Sequence, residues 1–494
     1  MQADGAQETS VFAGVGRKPR RDDPVEVELS GFDDRGAAIG RVGNFRVRVA
    51  RSNGGPPILP GARVAARVLR RRKDRVDAEA LEVLAPSVDE VHTRCPHTAE
   101  CGGCSFQELS ATAQLAHKEA GARRALAAYA QALDEVTSGW SKVIPAAQPF
   151  HYRNKMDFTF CARRWRTRGE ADDTPADFSL GLFARGRHDK VLDLSTCALA
   201  HVGVGDLLGA ARDLAREHNL PAWDPIEHRG FLRHLVVRAP RASGLLVNLV
   251  TAADDTPGWL PFVRDLCARV PSITALVQNV TTRRATVAVG EREHVHLGTG
   301  VVEEVLLGRR FRISAGSFFQ TNTHQAEVLF ERLRSWIQAR DGAAGGTLFD
   351  LYSGGGAIGL VLADLYDDVV GLELVGSAVE DARANARANG IVHARYFEGD
   401  VPQMVADRQA LGLGEPRMVV LDPPRVGLGP KLPLHLAELG APFLVLVSCN
   451  LNAAARDLEA LQRAGYRVEQ AGLVDMFPHT PHLEGLFLLA RSSP

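Results

Sequence analysis

The sequence predicts a multidomain protein: a disordered leader (1–24), a small N-terminal β-barrel (25–86), a central α+β domain (87–310) and a C-terminal α/β domain (311–494) on a doubly wound, mostly parallel sheet. Three observations carry that expectation. The 494 residues exceed one core at about 100–200 residues per domain. Between Val25 and Pro86, short apolar–polar alternations are separated by Gly and Pro turns, as in a barrel of about five strands. From Thr347 onward, strand-length β-rich runs alternate with helix-length segments, which suits parallel strands joined by crossover helices.

Residues 1–24 are rich in Gly, charge and small side chains without apolar periodicity. The barrel segment carries Arg70-Arg71-Arg72-Lys73 with Arg75 close by, either a phosphate track or a solvated strand edge. A polar helix is expected from about Ala111 to Leu133, and mixed strand patterns fill 150–310 around a loop at Gly169–Pro175. A helix from Phe319 to Arg340 buries Ala326, Leu329, Phe330, Leu333, Trp336 and Ile337 on one face. Hydrophobic residues make up 45% and charged residues 24%, which excludes wholesale disorder. With 58 Lys+Arg against 59 Asp+Glu, any nucleic-acid surface must be a local patch. No apolar run is long enough for a bilayer and the N-terminus lacks a signal peptide's apolar core, so the expectation is a cytoplasmic protein. Seven cysteines, an odd number, suit reduced thiols in metal or catalytic roles.

Five constellations carry chemistry. At the exit of the first C-terminal strand, Gly354-x-Gly356-x-x-Gly359 lets the backbone approach a cofactor at a helix N-terminus. Glu373, 19 residues after Gly354, can accept hydrogen bonds from ribose hydroxyls; the spacing alone does not separate a dinucleotide from S-adenosylmethionine. In Asp422-Pro423-Pro424-Arg425 the prolines remove two N–H donors and leave Asp422 and the loop carbonyls as acceptors. Such a tetrad serves amine methylation when an aromatic follows the prolines, so Arg425 disfavours that reaction. Ser448-Cys449-Asn450 puts a thiol at a strand end, a nucleophile if its thiolate is stabilised and inert packing otherwise. Glu484, entering an apolar stretch, is either a base with a raised pKa or a plain loop acid. Cys95-x5-Cys101-Gly102-Gly103-Cys104 can wrap one metal centre, zinc or iron–sulfur, with a fourth ligand from elsewhere. Its five-residue first gap argues against radical S-adenosylmethionine chemistry.

Taken in order, the cysteine run, Phe319-Gln320-x-Asn322, Asp350-Leu351-Tyr352-x-Gly354, Asp422-Pro423-Pro424-Arg425, Ser448-Cys449-Asn450 and His482-x-Glu484 resemble the RNA uracil-5-methyltransferase family over roughly residues 25–494. The likeness is greatest to the branch with an N-terminal TRAM domain and a [4Fe-4S] cluster. The resemblance implies an OB-like TRAM barrel that binds RNA through the basic run, and a Rossmann-like methyltransferase domain. It implies that Cys95, Cys101, Cys104 and Cys197 hold the cluster, leaving Cys161 and Cys267 in the core. Gln320, Tyr352, Glu373, Asp400 and Asp422 would bind S-adenosylmethionine, with Cys449 as nucleophile and Glu484 as base. The implied enzyme is a monomer acting on RNA, 23S ribosomal RNA before transfer RNA, with Arg163-Arg164-Trp165-Arg166 either holding RNA or forming a solvated loop.

The implied chemistry explains the residue set. C5 of uracil is too weak a nucleophile to attack a sulfonium methyl group, so the Cys449 thiolate adds to C6 and makes C5 carbanion-like. After methylation Glu484 removes the C5 proton and Cys449 leaves. Two departures stand out: Leu451 occupies the family's usual Pro position, and Ser353 precedes the glycines where Cys is common. The rival readings are a base-amine methyltransferase relying on Asp422 and a non-catalytic RNA-binding or assembly factor that keeps the barrel and cluster.

Overall fold

The computed structural model describes residues 18–33, 36–52, 54–129, 143–284, 290–340 and 342–492. Most of the leader assigned to 1–24 lies outside them. Its last residues, however, are tied to the barrel, where Asp22 N–H donates to the Val68 carbonyl at 2.8 Å and Val68 N–H to that of Asp23 at 3.0 Å. Strands β1 (Pro24–Phe32), β2 (Ala38–Val42), β3 (Phe45–Ala50), β4 (Arg63–Arg71) and β5 (Arg75–Ala85) close a barrel in the order β1-β2-β3-β5-β4. Alternate residues such as Val27, Leu29, Val47, Val49, Val64 and Val68 fill it, as the period of two requires. Phe106, Leu109 and Ala113 complete the same core, so the segment after the cysteine run is built into the barrel. Arg70, Arg71, Arg72 and Lys73 are exposed on the β4–β5 turn.

Helix α1 (Ala111–Ala125) is capped by Ser110 and ends in a 3₁₀ turn, Ala127–Tyr129; the rest of the helix expected to Leu133 lies outside the described residues. After β6 (Val143–Ile144), the central domain consists of β7 (Lys155–Cys161), β8 (Arg164–Trp165), β9 (Ser179–Phe183), β10 (Val191–Asp193), β11 (Leu232–Arg238), β12 (Leu245–Thr251), β13 (Ile273–Val280) and β14 (Arg292–Leu297). They form one sheet, β14-β13-β12-β11-β7-β9-β10-β8, with helices α2 (Val204–Glu217) and α3 (Trp259–Arg269) packed on it.

The hairpin β15 (Val301–Leu306) and β16 (Arg309–Ser314) straddles the boundary drawn at residue 310. Its Val302, Leu306, Phe311 and Ile313 belong to the C-terminal core, because that core offers the apolar surface they bury against. The helix expected from Phe319 begins as α4 (Thr323–Ala339): the Asn322 side chain accepts from Gln325 N–H at 3.2 Å, and Phe319–Asn322 stays outside the helix.

The C-terminal sheet comprises β17 (Thr347–Leu351), β18 (Asp368–Glu373), β19 (Ala394–Glu398), β20 (Pro416–Leu421), β21 (Phe443–Ser448), β22 (Tyr466–Val474) and β23 (Glu484–Arg491). The order is β19-β18-β17-β20-β21-β23-β22-β6, parallel except where β23 runs against β21 and β22. Helices α5 (Ala357–Leu362), α6 (Gly376–Ala388), α7 (Val401–Ala406), α8 (Leu432–Leu439) and α9 (Leu451–Arg463) connect the strands. The order reverses between β17 and β20, and a ligand cleft is expected beyond their C-terminal ends. Among the described residues no helix is long and apolar enough to cross a membrane.

One glycine in this sheet is dictated by contact. The Tyr396 ring lies across β18 at Gly371, where a Cβ would overlap ring carbons, and the same tyrosine's hydroxyl underlies Gly356 at the start of α5. Gly371→Ala is expected to cost about 1–3 kcal/mol by overpacking, read as a lowered thermal midpoint of the C-terminal domain.

Candidate functional site

The cofactor cleft is built at the exit of β17. Tyr352 (φ 62°) and Gly354 (φ 54°) turn the chain through the left-handed region, and Gly356 (φ 80°) opens α5. Only glycine takes such angles without strain, while Tyr352 is held there by N–H donation to the Leu372 carbonyl at 2.9 Å. Glu373 braces the loop by accepting from Gly354 N–H at 3.0 Å and from Val375 N–H at 2.9 Å. Asp350 is buried; one oxygen accepts from Gly359 N–H at 2.9 Å, whereas the other oxygen and the Ser353 hydroxyl lack partners among the described residues. Burial, helped by Asp422 and Glu373, pushes Asp350 up to about 7. Gln320, Tyr352 and Asp422 line one small cavity with Phe318, Ser353 and Gly354. Asp400 caps α7, accepting from Gln403 N–H at 3.1 Å, and its charge helps burial raise the Tyr352 phenol to about 12. Of the five residues expected to hold the cofactor, Gln320, Tyr352 and Asp422 line this cavity, while Glu373 braces its glycine loop and Asp400 caps α7 outside the lining. Phe318, missed in the sequence, is exposed at its mouth, a signal available only once the start of α4 is known.

Cys449 and Glu484, the expected nucleophile and base, meet through strand register. Antiparallel β21 and β23 pair Ser448 with Gly485, so the next positions outward are Cys449 and Glu484. Glu484 is buried, and burial together with Asp422 raises its carboxyl well above the usual range, with Arg425 opposing. Burial, then the charges of Glu484 and Asp422, pushes the half-buried Cys449 thiol up to about 11; Arg425 again opposes. Asp422, raised to about 7 by burial, accepts from Gln320 Nε2 at 3.4 Å. Arg425 thus faces both reacting groups. Its Nη2 lies 3.3 Å from His482 Nδ1, and His482 is lowered to about 4 by burial and by Arg425. Asn450 holds this loop without the family's proline: Nδ2 donates to the Arg425 carbonyl at 2.9 Å while its oxygen caps α9. The Leu451 side chain fills the space above Gly485, a contact proline's shorter ring would not make.

Cys95, Cys101, Cys104 and Cys197 line one cavity of about 330 Å³ with Gln107 and Arg153. Gly103 N–H points to Cys101 Sγ at 3.4 Å, and Gln107 Nε2 to Cys104 Sγ at 3.5 Å. Burial, then the neighbouring thiols, lifts Cys104 to about 12; burial, offset by Gly103 and reinforced by Cys197 and Cys95, lifts Cys101 to about 11. Among the described residues no group of three or more His, Cys, Asp or Glu is arranged to grip a metal ion. Cys161 is buried in the central sheet and Cys267 packs beside it. The Arg163–Arg166 patch is largely spent internally: Arg163 pairs with Asp224 at 2.8 Å, Arg164 with Glu170 at 2.6 Å, and Trp165 Nε1 with Glu100 at 2.5 Å. Asp224 and Glu100 come from distant segments and Glu170 from the following loop, pairings that the sequence pattern does not reveal.

Residues 272–492 match the family model described as tRNA (Uracil-5-)-methyltransferase. A protein named as an RNA methyltransferase from Chlorobaculum tepidum is 38% identical over 88% of this chain and 90% of its own. The chain belongs to the RNA uracil-5-methyltransferase family. A second named RNA methyltransferase, from Caldanaerobacter subterraneus subsp. tengcongensis, is 34% identical over 95% of this chain and 99% of its own. The solved Pyrococcus abyssi tRNA (uracil-54, C5)-methyltransferase in complex with S-adenosyl-L-homocysteine shares the fold, with TM-score 0.71 over 94% of this chain and 100% of that one at 24% identity.

In this methyltransferase the loop leading to Glu484 is clamped from every side. Lys118 of α1 pairs with Asp475 at 2.5 Å and donates to the Phe477 carbonyl at 3.0 Å. Gln114 accepts from His479 N–H at 3.0 Å, with its amide nitrogen 3.2 Å from His479 Nδ1. Ser105 and Phe106, directly after Cys104, both donate N–H to the His479 carbonyl at 3.0 Å. Tyr152 and Asn322 hold the Pro478 and Met476 carbonyls at 3.1 and 3.0 Å. Burial lowers Lys118 and raises Asp475, so each ion is tolerated through the other. Lys118→Met is expected to cost about 3–5 kcal/mol by stranding Asp475, with Lys118→Met/Asp475→Leu recovering most of it; denaturant melts of the two variants check this.

Proposed function

We propose that this methyltransferase forms 5-methyluridine in RNA through a covalent bond between Cys449 and C6 of the target base. The observation that carries the reading is the register placing Cys449 next to Glu484, on a cleft whose other wall is Asp422 and Gln320. Cys449 attacks as the thiolate, which the facing Arg425 favours, and negative charge delocalises onto the ring so that C5 becomes nucleophilic. S-adenosylmethionine, when bound by Gln320, Tyr352, Glu373, Asp400 and Asp422, supplies the electrophilic methyl group. The unpartnered Asp350 oxygen and Ser353 hydroxyl, and acids raised by their shared burial, fit a polar cation-bearing ligand there. Glu484 then takes the C5 proton, the C6–S bond breaks, and the thiolate is restored. The base reaches this depth only by leaving its stack.

The remaining assignments belong to the same reading. The barrel is a TRAM domain with its exposed basic turn on phosphates. Cys95, Cys101, Cys104 and Cys197 hold a [4Fe-4S] cluster. The cavity they share and the N–H groups aimed at two sulfurs fit a cluster, whose four corners hold thiolates farther apart than the single ion these residues are not arranged to grip. The substrate proposed first is 23S ribosomal RNA, with the enzyme monomeric and cytoplasmic. Transfer RNA is the second reading, favoured by the names of the matching family model and of the solved neighbour.

Four outcomes are expected. Cys449→Ala abolishes methylation of unmodified transcripts by labelled S-adenosylmethionine, whereas an amine methyltransferase would keep activity. Glu484→Gln also stops turnover but accumulates a denaturant-resistant RNA adduct, since only the last proton transfer is lost. Because Glu484 must be ionised and its pKa is raised, as is that of Cys449, the single-turnover rate rises with pH through the neutral range; a flat profile would count against both roles. Metal analysis of anaerobically purified protein is expected to give about four irons per chain, lost in Cys104→Ala. Zinc in their place would overturn the cluster assignment.

A further inference from the structure

A second cavity, about 340 Å³, opens from the same thiol in the opposite direction. Glu484 and Asp422 do not line it. It runs from Cys449, Arg425 and His482 toward helix α1 and the barrel, where Phe32, His117 and Arg124 form its far wall. The Phe32 ring, buried in the barrel core, lies 4.4 Å from that of Phe106 at a tilt of 32° and meets the half-buried His117 ring edge-on at 5.4 Å, so the imidazole on α1 is backed by aromatic rings of the barrel core. Arg124 and Arg425 are exposed at its rim. The facing acid, Asp33, is neutralised by Arg48 at 3.0 Å and by Ala37 N–H at 2.9 Å, and Lys118 is paired with Asp475. The cavity therefore offers the half-buried His117 ring beside the exposed Arg124, with Arg425 shared between this rim and the thiol, which is the chemistry that holds one nucleotide of a single strand.

Its occupant follows from continuity. A uridine whose C6 is bonded to Cys449 has its C5 edge toward Glu484, and its strand must leave past the thiol into this space. We infer that the cavity between α1 and the barrel seats the nucleotide adjacent to the target uridine, its base against His117 over Phe32 and its phosphate at Arg124 and Arg425. This rests on the reading of Cys449 as nucleophile.

The test uses the full chain and transcripts of ribosomal and transfer RNA carrying 5-fluorouridine in place of uridine, with methyl donor. After trapping, the folded adduct is digested exhaustively with nuclease and the Cys449 peptide is weighed. The parent enzyme is expected to keep at least a dinucleotide on the thiol, and His117→Ala/Arg124→Ala to keep a mononucleotide. On uridine transcripts the same double variant raises KM for RNA about tenfold, the loss of one stacked base, with kcat and the KM for S-adenosylmethionine unchanged. His117→Phe, which keeps a stacking face, retains the parent KM if the parent's thermal midpoint is also kept. A mononucleotide on the parent, or an unchanged KM in the double variant, overturns the subsite while leaving the nucleophile assignment intact. Absence of any adduct on the parent overturns both.

Discussion

Strands β21 and β23 run antiparallel with Ser448 opposite Gly485, and side chains on paired strands alternate between faces. A slip of one residue would turn Glu484 away from Cys449 and exchange Leu486 and Leu488 with Phe487 and Leu489 between the two differently shaped cores that flank the sheet. The fit of each set of side chains to its own core therefore holds Cys449 and Glu484 in register. Gly485 contributes by having no side chain: Leu451 and the Phe487 ring occupy the space a Cβ would take. Cys449 and Glu484 are thus aligned by hydrophobic packing of the strands that carry them.

That alignment brings acidic groups together at an electrostatic cost. Asp350, Asp422 and Glu484 share a poorly solvated cleft, and each is raised mainly by burial. The Cys449 thiol feels the same environment. Arg425 is the counterweight, and Asn450 fixes its backbone while its guanidinium reaches His482. An aromatic at position 425 would leave Cys449 and Glu484 without that cation. The same Asp-Pro-Pro turn can therefore serve different chemistry according to the residue that follows it.

The clamp on residues 475–483 connects units that are distant in sequence. Its donors come from the segment following Cys104, from α1, from the start of the central domain and from the cap of α4. His479, with φ of 66°, turns its carbonyl toward both Ser105 and Phe106. Disturbance at the cysteine turn consequently reaches the base-bearing loop through two backbone hydrogen bonds and a shared barrel core. The side chains in this clamp are polar and buried, so removing one partner leaves the other unsatisfied, which costs more than the bond is worth in isolation.

The sequence by itself determined the features with short physical range. Alternation at a period of two marked the barrel strands, β-rich runs between helices marked the C-terminal sheet, and glycines at 354, 356 and 359 marked the cofactor turn. The motif order was enough to indicate the family. Local signals were weaker where packing intervenes: α4 starts at Thr323 because Asn322 caps it, and the hairpin around residue 310 joins the core that covers it. Only the tertiary structure decided which distant side chains meet. Lys118 finds Asp475 across 357 positions, and Cys197 reaches a cavity otherwise lined by cysteines of the 95–104 run. Arg163 finds Asp224 across 61 positions. Periodicity and turn chemistry are properties of neighbouring residues, whereas these pairings exist only after separate apolar cores have brought their elements together.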